Sequence, residues 1–322
     1  MRLLVVPGLA LMTSIAPVLT WRDKQAMPEG RSGGAFGLIE NKLTYAGGTT
    51  WHNDVKLWLN GTLFYDFDRD AWSSGPPLPE PLAYGAYLAT DNSLEILGGT
   101  NDSGPSRKCW RLKAGEHTWT ESGILPADSV LAKAVSIQGW AYLFGGSSSA
   151  TDVSRLSDSV FRRDESGNWK RIGEMPQGRV AMPAVAAAGG EIYLFGGFSA
   201  SASGGALNHR DACRFDPKTN RWTALPPLPA AVRGLSAVPI DRRHILLAGG
   251  YTDSGFSAAV YLYDIEDGQY RLAASLPFPV MGMEMLARDR TIWGLGGEDK
   301  NRSRSARVIE GVVVQQMTSQ ER

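Results

Sequence analysis

The residues best suited to chemistry lie near the end of the chain, in one polar loop. Glu298 directly follows a pair of glycines, and Arg304 stands six positions later. A carboxylate can act first as a base and then as an acid, and an arginine can hold a carboxylate group by two parallel hydrogen bonds. The alternative is a solvated charged loop, since Asp299, Lys300 and Arg302 are also charged. The spacing alone favours that alternative.

Other combinations of reactive residues give weaker signals. The run Asp66–Asp70 resembles the start of a calcium loop, but acidic turns recur at Asp216–Asn220 and Asp264–Gly268, which favours turn formation. Cys109 and Cys213 form no CxxC motif, which excludes a zinc ribbon and a disulfide framework, so we expect both to be packing residues. The four histidines are scattered and no GxSxG motif occurs, so we expect no metal site, no cofactor and no hydrolase triad.

Composition limits the classes of partner. The 322 residues contain 33 Lys and Arg against 33 Asp and Glu, so there is no excess positive charge to neutralise nucleic-acid phosphates. No membrane-length apolar run occurs after the first twenty residues, so no membrane span is expected.

The N-terminus has the features of a secretory signal. Arg2 precedes an uncharged run, and Ser14 and Ala16 have the spacing of a cleavage site. We therefore expect a signal peptide over 1–16 and a single domain over 17–322. The protein would then be periplasmic or secreted, but cytoplasmic if the segment is retained. The alternative for this segment is a buried first strand.

Two markers repeat together along the chain at intervals near fifty residues. Glycine pairs close six apolar runs, at Gly47-Gly48, Gly98-Gly99, Gly145-Gly146, Gly196-Gly197, Gly249-Gly250 and Gly296-Gly297. An aromatic residue is followed seven positions later by proline in each repeat, at Trp21/Pro28, Trp72/Pro79, Trp119/Pro126, Trp169/Pro176, Trp222/Pro229 and Tyr270/Pro277. Self-similarity at this period predicts a propeller or a solenoid.

Each repeat has room for four short strands, and no segment shows a sustained helical period. The predicted fold is therefore all-β, a six-bladed β-propeller with four antiparallel strands per blade. Trp21 and Pro28 belong to a fourth strand but precede the first complete blade. We therefore expect the N-terminal strand to complete and close the last blade.

The strand order places two sets of loops on one rim, where propellers usually carry their function. The rim residues are Arg31, Tyr84, Lys133, Arg179, Arg233 and Glu284 in one set of loops, and Trp51, His52, Asn101, Asp102, Asn208, His209, Arg210, Asp253, Glu298 and Arg304 in the other.

The glycine pairs, aromatic residues and tryptophans resemble the kelch repeat over essentially the whole chain after residue 20. Segments Gly30–Gly48, Leu78–Gly85 and Ile96–Gly99 further resemble the kelch-type N-acetylneuraminate mutarotases (epimerases), in their cyclically permuted branch. In that family a Gly-Glu-x5-Arg pattern carries the proton-transferring glutamate, and Glu298 and Arg304 match it.

The resemblance implies an isomerase that opens and recloses the ring of sialic acid or a related sugar at the anomeric carbon. Glu298 would act as base and acid, and Arg304 would be its partner in catalysis. Arg31, Tyr84, Arg179, Arg233, His52 and Asn101 would bind the substrate. The expected partner is a small sugar acid, without nucleic acid, metal or cofactor, and a homodimer is left open.

Two alternatives remain at this point. One is a non-catalytic kelch-type module that binds protein or glycan. The other is a copper enzyme similar to galactose oxidase, which would need a cysteine cross-linked to tyrosine near histidines. The positions of Cys109 and Cys213 in third strands argue against the copper enzyme.

Overall fold

A computed structural model describes residues 18–314 except Gln177, Arg179 and Asp289. The described residues form 31 β-strands and one short 3-10 helix, which confirms the predicted all-β class. The predicted signal segment 1–16 lies outside the described residues, so signal cleavage and the domain boundary stay predictions.

Six four-stranded antiparallel sheets form the blades, and small extra strands extend some of them. The first strand, β1 (Val18–Lys24), belongs to the last blade. Blade 1 contains β2 (Ala35–Ile39), β3 (Lys42–Ala46), the separate hairpin of β4 (Thr49–His52) and β5 (Val55–Trp58), then β6 (Thr62–Asp66) and β7 (Ala71–Ser74). Blade 2 contains β8 (Ala86–Thr90), β9 (Ser93–Asn101), β10 (Gly104–Lys113) and β11 (Thr120–Ile124). Blade 3 contains β12 (Lys133–Ile137), β13 (Trp140–Phe144), the 3-10 helix Val153–Arg155, β14 (Ser159–Arg163) and β15 (Trp169–Glu174).

The second half of the ring repeats this plan. Blade 4 contains β16 (Ala184–Ala188), β17 (Glu191–Phe195), the hairpin of β18 (Phe198–Ala200) and β19 (Ala206–Asn208), then β20 (Ala212–Asp216) and β21 (Arg221–Ala224). Blade 5 is preceded by β22 (Val232–Arg233) and contains β23 (Ser236–Pro239), β24 (His244–Ala248), β25 (Tyr251–Thr252), β26 (Gly255–Phe256), β27 (Val260–Asp264) and β28 (Tyr270–Leu272). Blade 6 contains β29 (Glu284–Arg288), β30 (Thr291–Leu295) and β31 (Val308–Val314).

The glycine pairs fasten each blade to the next. A Cβ on Gly145 would lie 2.2 Å from the carbonyl oxygen of Val180, where the chain enters the following blade. Gly146 donates its N–H to that same carbonyl at 3.1 Å. The same hydrogen bond recurs at other junctions, from Gly48 to Leu82, Gly197 to Val232, Gly250 to Val280 and Gly297 to Arg31. Glycine is needed because any side chain here would push neighbouring blades apart.

The aromatic and proline markers form a second joint between blades. The apolar residue before each proline is buried, at Met27, Leu78, Leu125, Met175, Leu228 and Leu276. In four of the six repeats the marker aromatic residue donates a hydrogen bond to the preceding blade, to the carbonyl three residues before that blade's marker proline. These bonds run from Trp21 to Ala274, Trp72 to Gln25, Trp119 to Pro76 and Tyr270 to Pro226. The repeat of about fifty residues in the sequence therefore corresponds to the repeated contacts between neighbouring blades.

The ring closes as the sequence predicts. β1 pairs antiparallel with β31, from Val18 opposite Val314 to Lys24 opposite Val308. The inner strands β2, β8, β12, β16, β23 and β29 contact one another in this order, and β29 contacts β2. Both cysteines are buried in third strands, as expected, and burial raises the pKa of Cys109 to about 12.

Candidate functional site

One face of the ring carries the connections between second and third strands. We call it the hairpin face; it comprises hairpins β4–β5, β18–β19 and β25–β26, the tip of β9–β10, and the loop 298–304. In an antiparallel propeller all such connections lie on the same side. The predicted site residues were placed on this side, so their surroundings can be compared directly.

Hairpin β4–β5 is held rigidly above blade 1. Its two turn residues, Asn53 and Asp54, have φ values of 49° and 62°, as a two-residue type I′ turn requires. Side chains therefore alternate between two surfaces of the hairpin. The inner surface carries Thr49, Trp51, Lys56 and Trp58, and the outer surface carries Thr50, His52, Val55 and Leu57.

Glu298 and Arg304 meet in the structure, as the family resemblance implies, although their spacing alone favours a solvated loop. The Nη1 atom of Arg304 lies 2.9 Å from Oε2 of Glu298, and the Arg304 side chain is only 5% exposed. Arg304 also donates from Nε to the Thr49 hydroxyl at 3.1 Å and from Nη2 to the Tyr84 hydroxyl at 3.3 Å. Its Nη1 donates in addition to the carbonyl of Ser303. Three of the five guanidinium N–H groups thus donate hydrogen bonds within the protein, and Nη1 also forms the ion pair.

Burial and the neighbouring positive charges shift the pKa of Glu298 in opposite directions. Burial raises the pKa of Glu298, and the positive charges of Arg304, Lys56 and Arg233 offset part of that effect. Burial would also raise the pKa of Tyr84, but Lys56 and Arg304 outweigh it and lower the pKa. The ammonium of Lys56 lies 4.6 Å from the centre of the Tyr84 ring. The cluster therefore holds two cations, Arg304 and Lys56, beside the single carboxylate of Glu298.

The other described residues of the predicted site make their hydrogen bonds elsewhere, although the charge of Arg233 acts on Glu298. Arg31 is buried and donates to the carbonyl of Gly61 and to Glu29. Arg233 donates to Asn208 and stacks on Tyr251 in blade 5. His52 is exposed near the tip of β4–β5, and Asn101 donates to the carbonyl of Pro81. Arg179 lies outside the described residues. Of the predicted set, only Tyr84, Glu298 and Arg304 form one cluster.

A chain of backbone hydrogen bonds surrounds the channel mouth, and sequence reasoning missed it. One residue per blade has a positive φ at the equivalent position: Gly33, Tyr84, Leu131, Met182, Gly234 and Gly282. Each donates its N–H to the carbonyl of the preceding one from Tyr84 round to Gly282. Glycine occupies three of these positions, and the side chains of Tyr84 and Met281 fill the space that a Cβ would take at Gly33 and Gly234.

A further feature is a polar group inside the channel, formed by rim residues that the sequence left out of the predicted site. The buried carboxylate of Glu284 accepts a hydrogen bond from the Tyr87 hydroxyl, beside a cavity of about 200 Å³ also lined by Lys133. Burial raises the pKa of Tyr87 well above its usual value. A sequence signal existed: the first residue of the inner strand is small in four blades, but Lys133 and Glu284 replace it in the other two.

Comparison with known proteins identifies the family. Residues 131–315 match the KLHDC2/KLHL20/DRC7 Kelch-repeats domain, which is more than half of the chain. The chain belongs to the kelch-repeat family. Within the described residues, this kelch protein has no helix long and apolar enough to span a membrane. The same residues contain no group of three or more His, Cys, Asp or Glu side chains that could hold a metal ion.

Several curated relatives are similar to this kelch protein. Kelch-like protein 35 of Mus musculus is 28% identical over 239 residues, which cover 74% of this chain and 38% of the relative. Spermatocyte protein spe-26 of Caenorhabditis elegans is 26% identical over 198 residues, covering 61% and 32%. Alpha-scruin of Limulus polyphemus is 26% identical over 247 residues, covering 71% and 26%. The chain thus spans about a third of the length of these relatives.

These findings overturn the expectation of a sialic-acid isomerase. The relatives are kelch-like proteins and scruins, and the family match contains nothing specific to N-acetylneuraminate epimerases. The resemblance over Gly30–Gly48 has a structural cause, because its glycines are needed for packing. A Cβ on Gly30 would lie 2.0 Å from the carbonyl oxygen of Arg304. Arg304 itself is held by internal partners, and the assignment of Glu298 and Arg304 as site residues stays a prediction.

Proposed function

We propose that this kelch protein is a non-catalytic, protein-binding module, and that its hairpin face receives the partner. Membership of the kelch-repeat family supports this proposal, since its relatives here are kelch-like proteins and scruins. The partner is then a polypeptide rather than the small sugar acid expected from the sequence.

The observation that carries the proposal is the position of the exposed apolar side chains, most of which lie on the hairpin face. Of the described residues, five large apolar side chains are exposed, and three of them are on hairpins of this one face. These three are Val55 at 57%, Leu57 at 42% and Leu207 at 50%. Apolar side chains projecting from rigid hairpins are typical of a protein-binding surface, because their burial against a partner is favourable.

The face is also preorganised. The Arg304 cluster joins blade 6 to hairpin β4–β5 through Thr49, and to the start of blade 2 through Tyr84. A rigid binding surface loses little conformational entropy on association. The internal hydrogen bonds of Arg304 therefore serve to fix the surface that a partner meets.

Immobilising the protein by one face or the other tests the proposal. Leu207→Cys would attach it through the hairpin face, and Lys218→Cys through the opposite face, where the turn between β20 and β21 is exposed. Both native cysteines are buried, so a maleimide-biotin reagent should label only the introduced thiol. A displayed library of random peptides is then selected against each form.

We expect peptides to be enriched on the Lys218→Cys form and at least about tenfold less on the Leu207→Cys form. The unsubstituted protein is the labelling control and should take up no biotin. Equal enrichment in both orientations, or none in either, would refute the hairpin face as the binding surface.

A further inference from the structure

A side cleft opens on the hairpin face between blades 1 and 6. It has a volume of about 500 Å³ and lies between hairpin β4–β5 and the loop 298–304. This cleft shares no lining residue with the cavity beside Glu284. Its two walls differ in chemistry.

One wall is apolar. Leu57 and Trp51 line the cleft, and Val55 continues the outer surface of the hairpin to its tip. Leu57 and Val55 are large apolar side chains left exposed. The type I′ turn fixes their positions, so this wall is ready to receive an apolar side chain.

The other wall is cationic. Lys300, Arg302 and Arg304 line it, and His52 faces them from the hairpin. Charges in the cleft are not balanced. Arg304 is neutralised by Glu298 at 2.9 Å, and the only lining carboxylate, Glu29, is held by Arg31 at 2.7 Å.

Two positive charges therefore remain available. Arg302 approaches Asp54 only at 3.6 Å, with both side chains highly exposed, at 65% and 80%. Such a pair contributes little. Among the described residues, Lys300 has no ion-pair partner. The carboxylate of Asp299 lies on the same loop but outside the lining of the cleft.

We propose that this cleft binds an acidic segment of a partner protein in which a carboxylate side chain adjoins an aliphatic or aromatic one. The apolar side chain would pack on Leu57 and Val55, and the carboxylate would meet Lys300 and Arg302. Charge complementarity supports this partner, since an apolar ligand alone would leave both cations facing it unpaired. The inference rests on the proposed protein-binding role and names the chemistry of one contact.

The test uses peptides selected on the Lys218→Cys form of the full chain. Their affinities are measured by fluorescence polarisation on the unsubstituted protein, on Leu57→Ser, and on the double variant Lys300→Glu/Arg302→Glu. Leu272→Ser and Arg69→Glu are matched controls, because both residues are highly exposed and lie away from the cleft. Thermal unfolding checks that each variant is folded.

We expect Asp or Glu next to an apolar residue in the selected peptides. Each cleft variant should weaken binding at least about tenfold, and the controls less than about twofold. The double variant should select basic peptides instead. Peptides that bind the hairpin face but lack acidic residues, or bind the cleft variants normally, would overturn the cleft assignment and leave the protein-binding role intact. Failure to enrich any peptide would overturn both.

Discussion

At the scale of the residue, Asp264 shows how a buried charge is retained in this protein. Its carboxylate is fully buried and lies 2.7 Å from Nη2 of Arg243 and 3.2 Å from Nη1 of Arg271. Burial alone would raise its pKa, but the hydrogen bonds and charges of Arg243 and its neighbours outweigh that effect and bring the pKa down to about 2. The folded state therefore favours the charged form.

Asp264→Asn should be less stable at neutral pH, by roughly 2–3 kcal/mol, because it removes this favoured charge. A lowered pKa contributes stability that is fully present above the unfolded pKa near 4 and is lost as pH falls towards 2. The difference between the unsubstituted protein and Asp264→Asn should thus shrink over that range. Urea unfolding at several pH values measures this difference in stability. A difference that does not change with pH would contradict the lowered pKa of Asp264.

The pair of Glu298 and Arg304 leads to a second prediction. Removing one partner leaves the other partly buried without its counterion, so Glu298→Gln and Arg304→Met should each destabilise the protein by about 2 kcal/mol. The double variant should lose about 1–2 kcal/mol less than the sum of the two. Chemical unfolding of the four proteins tests this coupling, and strictly additive losses would show that the ion pair contributes nothing.

At the scale of the element, the glycine pairs act as joints between blades. Gly145→Ala should destabilise the protein by several kcal/mol, because its Cβ would meet the Val180 carbonyl in a left-handed conformation. Gly139→Ala is the matched control: its φ of 83° is also positive, but nothing lies within 4 Å of the added Cβ. It should cost only about 1–2 kcal/mol. Equal losses of unfolding free energy in urea would mean that backbone strain, and not the contact between blades, explains why glycine pairs recur along this chain.

The sequence predicts these joints because they are local. A glycine pair at the end of a strand, or an aromatic residue seven positions before a proline, can be recognised without knowing the fold. The directions of side chains could not be predicted in this way. Arg31 turns to Gly61 and Glu29, and Arg304 reaches Thr49, which is 255 residues away in sequence. Such contacts depend on how the whole ring brings distant segments together, so residue type and spacing alone could not predict which candidate site residues would cluster.

At the scale of the whole molecule, the ring depends on one strand from the N-terminal part of the chain. Deleting residues 1–24 removes β1, with the Trp21 hydrogen bond to Ala274, and exposes the edge of β31. We expect a lower unfolding midpoint and association through the exposed edge. Deleting only residues 1–16 is the control, since this segment is predicted to be removed as a signal. Unfolding and sedimentation velocity compare the two; identical behaviour would show that β1 is dispensable for closure.

The pairing of β1 with β31 also determines when during synthesis the ring can close. β31 lies about 290 residues after its partner, so a ribosome adding roughly 5–20 residues per second reaches it about 15–60 s later. Throughout that interval the newly made β1 has no strand to pair with. Cells making this protein must therefore protect an unpaired segment until β31 has been made. Mutations that slow translation, or a shortage of chaperones, would lower the yield of folded protein, because both act before the native state has formed.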